Sequence, residues 1–105
     1  MRHKKLSFDL MEGYLGREDP SPGFLRERND DPEYRRMLRV LTRLTEEELT
    51  DRQRQCVRLY YFEGQKMQDV ADLLGIQRST VSRHLKKARH RMGQVLRYSF
   101  DRLAG

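Results

Sequence analysis

"MQDVADLLGIQRSTVSRHLKKARHRM", residues 67–92, decides the fold of this chain. Val70, Ala71 and Leu74 recur at helical spacing, and Gly75 ends their run. A second apolar stripe begins with Val81 and continues through Leu85, Ala88, Met92 and Val95 or Leu96. Helix, glycine, a few residues, helix is the sequence form of a helix-turn-helix. Geometry explains the residue choices. Ala71 falls where the two helices cross and only a small side chain fits. Gly75 falls where the chain turns with positive φ, which costs glycine nothing. Ile76 plugs the turn into the core.

The other face of the second helix is polar and basic. It carries Gln77, Arg78, Ser79, Ser82, Arg83, Lys86, Lys87 and Arg89. Residues 73–100 hold seven Lys/Arg and no acid, whereas residues 1–72 hold 14 Lys/Arg against 15 Asp/Glu. The net charge of +6 therefore sits in one segment. A solvated helix face interleaves Glu with Lys at i,i+4. This one does not, and such segregation is the footprint of a polyanion partner. The major groove of duplex DNA admits one helix, whose first turns reach the base edges. Ser79, Ser82 and Arg83 point there, flanked by Gln77, Arg78 and Lys86. Lys87, Arg89 and Arg91 lie further along, where phosphate contacts position a protein without reading sequence. His84 either packs against the preceding helix or touches a phosphate, and packing is the expectation.

Working outward, Thr50 and Gln53 form a capping box that opens a helix bearing Cys56, Val57, Leu59, Tyr60, Tyr61 and Phe62. That helix is apolar on more than one side, hence central, and Gly64 stops it. Before it, Asp31 and Pro32 are an N-cap and a first helical residue. They lead a stripe of Tyr34, Met37, Leu38, Leu41 and Leu44. The fold class is all-α, a small domain of four helices over residues 33–105. Residues 1–32 read as a flexible or partner-binding segment, in which Leu6, Phe8, Leu10, Met11, Tyr14 and Leu15 are able to form an extra short helix. "REDPSPG", residues 17–23, reads as a loop.

Composition bounds the function. With 105 residues, 36% apolar and 36% charged, the chain builds one modest core. One cysteine excludes an intramolecular disulfide and a cysteine-based zinc cluster. No apolar run has the length of a signal peptide or a membrane span, so a cytoplasmic protein with no membrane partner is expected. Nothing supports catalysis, and neither a cofactor nor a metal is expected. Asp69 and Asp72 read as a solvated face. His84 and His90 lie six apart rather than at the i,i+4 spacing of a helical metal pair. Ser79 and Ser82 have no nearby base with an orienting carboxylate.

Leu49 to Met92 resembles region 4 of the bacterial sigma-70 family, closest to its extracytoplasmic-function type. The matching features are Leu49, Arg54-Gln55, "YYFEG", "DVADLLGI" and "STVSRHLKKAR". The "VADLLGI" and "TVSRHL" pieces also occur in regulators with a LuxR-type domain, and the "RQ" and "LYYFEG" pieces favour sigma. The resemblance implies that Arg78, Ser79, Ser82, Arg83 and Lys86 read a promoter −35 element. It also implies that the Leu49–Phe62 helix and its neighbours dock on the β flap of core RNA polymerase. The 48 residues before Leu49 are too few for the region 2 that melts the −10 element. The expectation is then a fragment, or a subunit working with a region 2-like partner, as in small sigma-like proteins of phages and mobile elements. The alternative is a stand-alone operator-binding regulator acting as a homodimer, with Leu96, Phe100 and Leu103 as its contact. Folding back of that stripe onto the first helix is the simpler expectation.

Overall fold

A computed structural model describes residues 21–23, 25 and 30–104, with side chains as far as residue 98. The N-terminal apolar run from Leu6 to Leu15 and the side chains of Phe100 and Leu103 lie outside the described residues.

Helix α1 runs from Pro32 to Glu48. The Asp31 carboxylate accepts from the Glu33 amide at 2.9 Å, which caps the first turn. Tyr34, Met37, Val40, Leu41, Leu44 and Thr45 are buried along one stripe. The helix ends without glycine, as Leu49 leaves it in an extended conformation. Its last carbonyls find a donor elsewhere. Arg54 donates from Nε to Thr45 O at 3.3 Å, and from Nη2 to Glu46 O at 3.2 Å and Leu49 O at 3.0 Å. A guanidinium at this end also favours the helix dipole.

Helix α2 spans Asp51–Val57 and continues into a π-helical turn, Arg58–Phe62. The capping box is present in both directions: the Gln53 amide donates to Thr50 Oγ1, and the Thr50 amide donates to Gln53 Oε1. The turn is marked by the Glu63 amide donating to Arg58 O at 2.9 Å, five residues back. The sequence pattern predicts an unbroken α-helix here. The structure widens it, so that Tyr60 and Tyr61 are both buried, their rings edge to face at 5.2 Å. Cys56 is fully buried beside them, and burial pushes its thiol pKa up.

Helix α3, Met67–Leu74, and helix α4, Arg78–Ala104, form the helix-turn-helix. Gly75 has φ 67°, the left-handed conformation that the turn requires. The Ile76 amide reaches Ala71 O at 3.0 Å and the Gly75 amide reaches Asp72 O at 3.4 Å, a Schellman ending. Val70, Ala71, Val81 and Leu85 are buried between the two helices, and Leu74 and Ile76 pack partly against them. The rest of α4 leaves the motif and lies on α1. Thr45 Oγ1 sits 3.9 Å from Met92 Sδ, and Arg91 pairs with Glu48 at 2.8 Å. One core therefore joins all four helices, and no strand occurs among the described residues. The all-α expectation holds, with its starts at Pro32, Thr50, Met67 and Arg78.

Two residues of the N-terminal segment are attached to this core. The amides of Gly23 and Leu25 donate to Tyr60 O at 2.7 Å and Tyr61 O at 3.1 Å, and Leu25 is buried.

Candidate nucleic-acid interface

The opening turns of α4 stand on a rigid base. Its first amides are turned onto Gln77, with Thr80 N and Val81 N donating to Gln77 O at 3.0 and 3.1 Å. Val81, Leu85 and Ala88 are buried and fix the rotation of the helix about its axis. Gln77, Arg78, Ser79, Ser82, Arg83, Lys86 and Lys87 are then all exposed, as the sequence predicts. Arg83 donates from Nη2 to Thr80 Oγ1 at 3.3 Å, which lays the guanidinium along the outer face.

Arg89 is placed differently from the other seven. Its side chain is buried, with 8% exposed, and Nη1 donates to the Tyr61 hydroxyl at 2.6 Å. Its position reflects helix geometry, since Arg89 lies four residues past Leu85 on the packed side. The basic composition of the segment hides this inward turn. Arg91 is likewise tied to α1 through Glu48.

Arg52 joins the site without any mark in the sequence. The charges of Arg52, Lys87 and Arg83 all act on His84, which sits partly buried among them. Arg52 opens α2, so the basic surface crosses from α4 to the start of a second helix. Desolvation first, and these three cations next, hold the His84 imidazole below its ordinary pKa. His84 is therefore neither fully in the core nor free on the surface. No local signal links Arg52 to it, because the charge of Arg52 reaches His84 only once α2 and α4 are folded together.

The N-terminus of α3 adds a different feature. Lys66 occupies the N-cap position and makes no side-chain capping bond, so the opening amides of α3 lack the side-chain acceptor that Thr50 gives α2. Such amides, with the helix dipole behind them, suit an anionic oxygen. Asp69 and Asp72 remain on the exposed face of α3, with Asp72 accepting from Gln68 Nε2 at 3.0 Å. Among the described residues, no group of three His, Cys, Asp or Glu is placed to hold a metal ion. No described helix is long and apolar enough to cross a membrane. An open cleft of about 420 Å³ lies further along α4, lined by Glu48, Arg91, Gln94, Val95 and Tyr98.

Comparison with known proteins agrees with this geometry. The family model described as Sigma-70, region 4 matches residues 47–94, which takes in α2, the π-turn, α3 and α4 as far as Gln94. A relative from Xanthomonas campestris pv. campestris, the "Probable RNA polymerase sigma factor RfaY", is 32% identical over 104 residues. That alignment takes in 98% of this chain and 25% of the relative, so the chain spans about a quarter of the relative's length. No solved structure matches the chain. The matched segment, its helix-turn-helix and the relative all point the same way: residues 47–94 of the chain are a sigma-70 region 4 domain.

Proposed function

We propose that this domain binds double-stranded DNA in transcription initiation, reading a −35-type promoter element from the major groove. One observation carries the reading: α4 has two faces. Val81, Leu85 and Ala88 are buried on one, and seven polar or basic side chains from Gln77 to Lys87 stand exposed on the other with no acid among them. Ser79, Ser82 and Arg83 lie in the first two turns, the part of a helix that reaches base edges. Arg83 is suited to bidentate contact with guanine, and Gln77 to adenine. Lys86, Lys87 and Arg52 extend the basic surface towards the phosphates on one side, and the α3 N-terminus meets them on the other.

RNA polymerase is the proposed protein partner, its β flap meeting the face of α2 and its neighbours. The relative's sigma-factor name supports this. A region 2-like segment or subunit would supply promoter melting.

The test is to tag the protein in its host, treat the lysate with nuclease and recover what stays bound. The β subunit in stoichiometric amount without DNA is the expected result, together with enrichment of one short element from a random duplex pool. Retardation of duplex DNA without polymerase would replace this reading with the operator-binding regulator. The dimer contact expected for that regulator is Leu96, Phe100 and Leu103. Leu96 is buried within its own chain and so has nothing to offer a second copy.

A further inference from the structure

The end of α2 carries two carbonyls that a distant part of the chain pairs. Tyr60 O and Tyr61 O belong to the last turn, whose carbonyls have no intrahelical donor in any helix. Here the Glu63 amide goes to Arg58 O and the Gln65 amide reaches back to Leu59 O, both at 2.9 Å. Tyr60 O and Tyr61 O accept instead from Gly23 N and Leu25 N. Gly23 takes φ 76° to present its amide, a conformation that disfavours other residues. Leu25 is 4% exposed and joins the main core. On its other side, Tyr61 receives the buried hydrogen bond from Arg89 of α4. An unbroken line of contacts thus runs from the N-terminal segment, through the π-turn, to the helix that carries the basic face.

We propose that Gly23 and Leu25 together latch the π-turn, and that closing or opening this latch sets how firmly α4 is held for DNA. The coupling to DNA rests on the reading proposed above. The latch itself does not. Closed, it supplies the donors that keep the widened turn in register. Open, it leaves two helix-end carbonyls without those donors, and the turn relaxes towards regular α-helix. A register change of one residue rotates every later side chain of the helix by about 100°, enough to draw the Tyr61 hydroxyl off Arg89. Among the described residues, two backbone hydrogen bonds and one buried leucine hold the latch.

The experiment uses the full chain with Gly23→Pro, which removes one donor and the positive φ together, and Leu25→Ala as a milder second variant. Amide hydrogen exchange and DNA anisotropy are read side by side, the probe being the duplex selected by the wild-type chain. The expected result is exchange about tenfold faster at Glu63 and Gln65, with DNA affinity reduced several-fold. Exchange at Leu85 should be unchanged, which shows that the helix-turn-helix remains folded. If Glu63 and Gln65 exchange as before while Leu25 opens, the segment merely drapes over the domain and the latch is refuted. If those amides loosen and DNA affinity stays the same, the coupling is refuted. If Gly23→Pro unfolds the whole domain, Leu25→Ala decides by the same readings. A wild-type chain that selects no duplex would remove the DNA reading, and the exchange data would still decide for or against the latch.

Discussion

Arg83 and Arg89 carry the same guanidinium on the same helix, and the fold gives them opposite roles. Arg83 faces outward over Thr80, whereas Arg89 is inside against Tyr61. Arg83→Ala is expected to weaken binding to the selected site by about 1–3 kcal/mol and to spare non-specific binding. Lys87→Ala should weaken binding to all sequences and lower the salt slope by about one. Equal losses on specific and random duplexes would make Arg83 a phosphate contact. Arg89→Met should leave the salt slope alone and lower folding stability by about 1–3 kcal/mol, read by urea unfolding. His84 adds a pH dependence. Its folded pKa is depressed, so the unfolded chain binds more protons as pH falls. The stability contribution is full above the ordinary histidine value, near 6.5, and is lost on acidification below it. A nearby phosphate favours the imidazolium, so DNA affinity should rise over the same interval. His84→Asn should flatten both profiles, and a DNA-binding profile that stays steep would assign the effect to another group.

At the scale of the element, much is legible because helix ends obey local rules. Asp31 and Pro32, Thr50 with Gln53, and Gly75 each act within a few residues of themselves, so the sequence alone marks where helices start and stop. Gly75→Ala is expected to cost about 1–2 kcal/mol, measured by chemical denaturation. A Cβ there would meet nothing within 4 Å, so the loss is conformational and not steric. A change near zero would mean that the turn has shifted out of the left-handed region. Features set by distant partners stay hidden. In the π-turn, Gly23 and Leu25 donate to Tyr60 O and Tyr61 O from far along the chain, and the run Arg58–Phe62 is too short for its apolar spacing to separate a wide helix from a regular one. Arg54 is visible as part of a motif, but its hold on the end of α1 is not, since that hold needs α1 and α2 folded together. The Arg58 guanidinium similarly holds the Glu46 carboxyl below the usual carboxylate range across the same junction. Burial of Arg89 belongs with these cases, because Tyr61 reaches it from another helix.

For the whole molecule, α4 is both the bearer of the exposed basic face and the longest wall of the core. Its first turns carry the basic face, and Met92 and Leu96 pack into the interior. The first turns thus combine an exposed basic side with Val81 and Leu85 in the core, and the later turns extend that core. Leu96→Ala should cost about 2–5 kcal/mol, and near-UV and far-UV signals should still fall in one coincident transition. Two separated transitions would show that α1 and the helix-turn-helix are independent units. The segregation of charge is readable from the sequence, and the outward set from Gln77 to Lys87 comes with it. Arg52 is not readable, because membership of a surface is decided by how helices pack.

Cys56 gives the chain a practical property. It is fully buried, its thiol is held in the protonated form by burial, and the sequence has no other cysteine. The thiolate is the reactive species, so an alkylating dye should pass over the folded chain and label it only when α2 opens. The rate of that labelling is a built-in clock for unfolding. A second cysteine placed on the exposed face, at Ser82 for example, could be tagged selectively without first removing the native one.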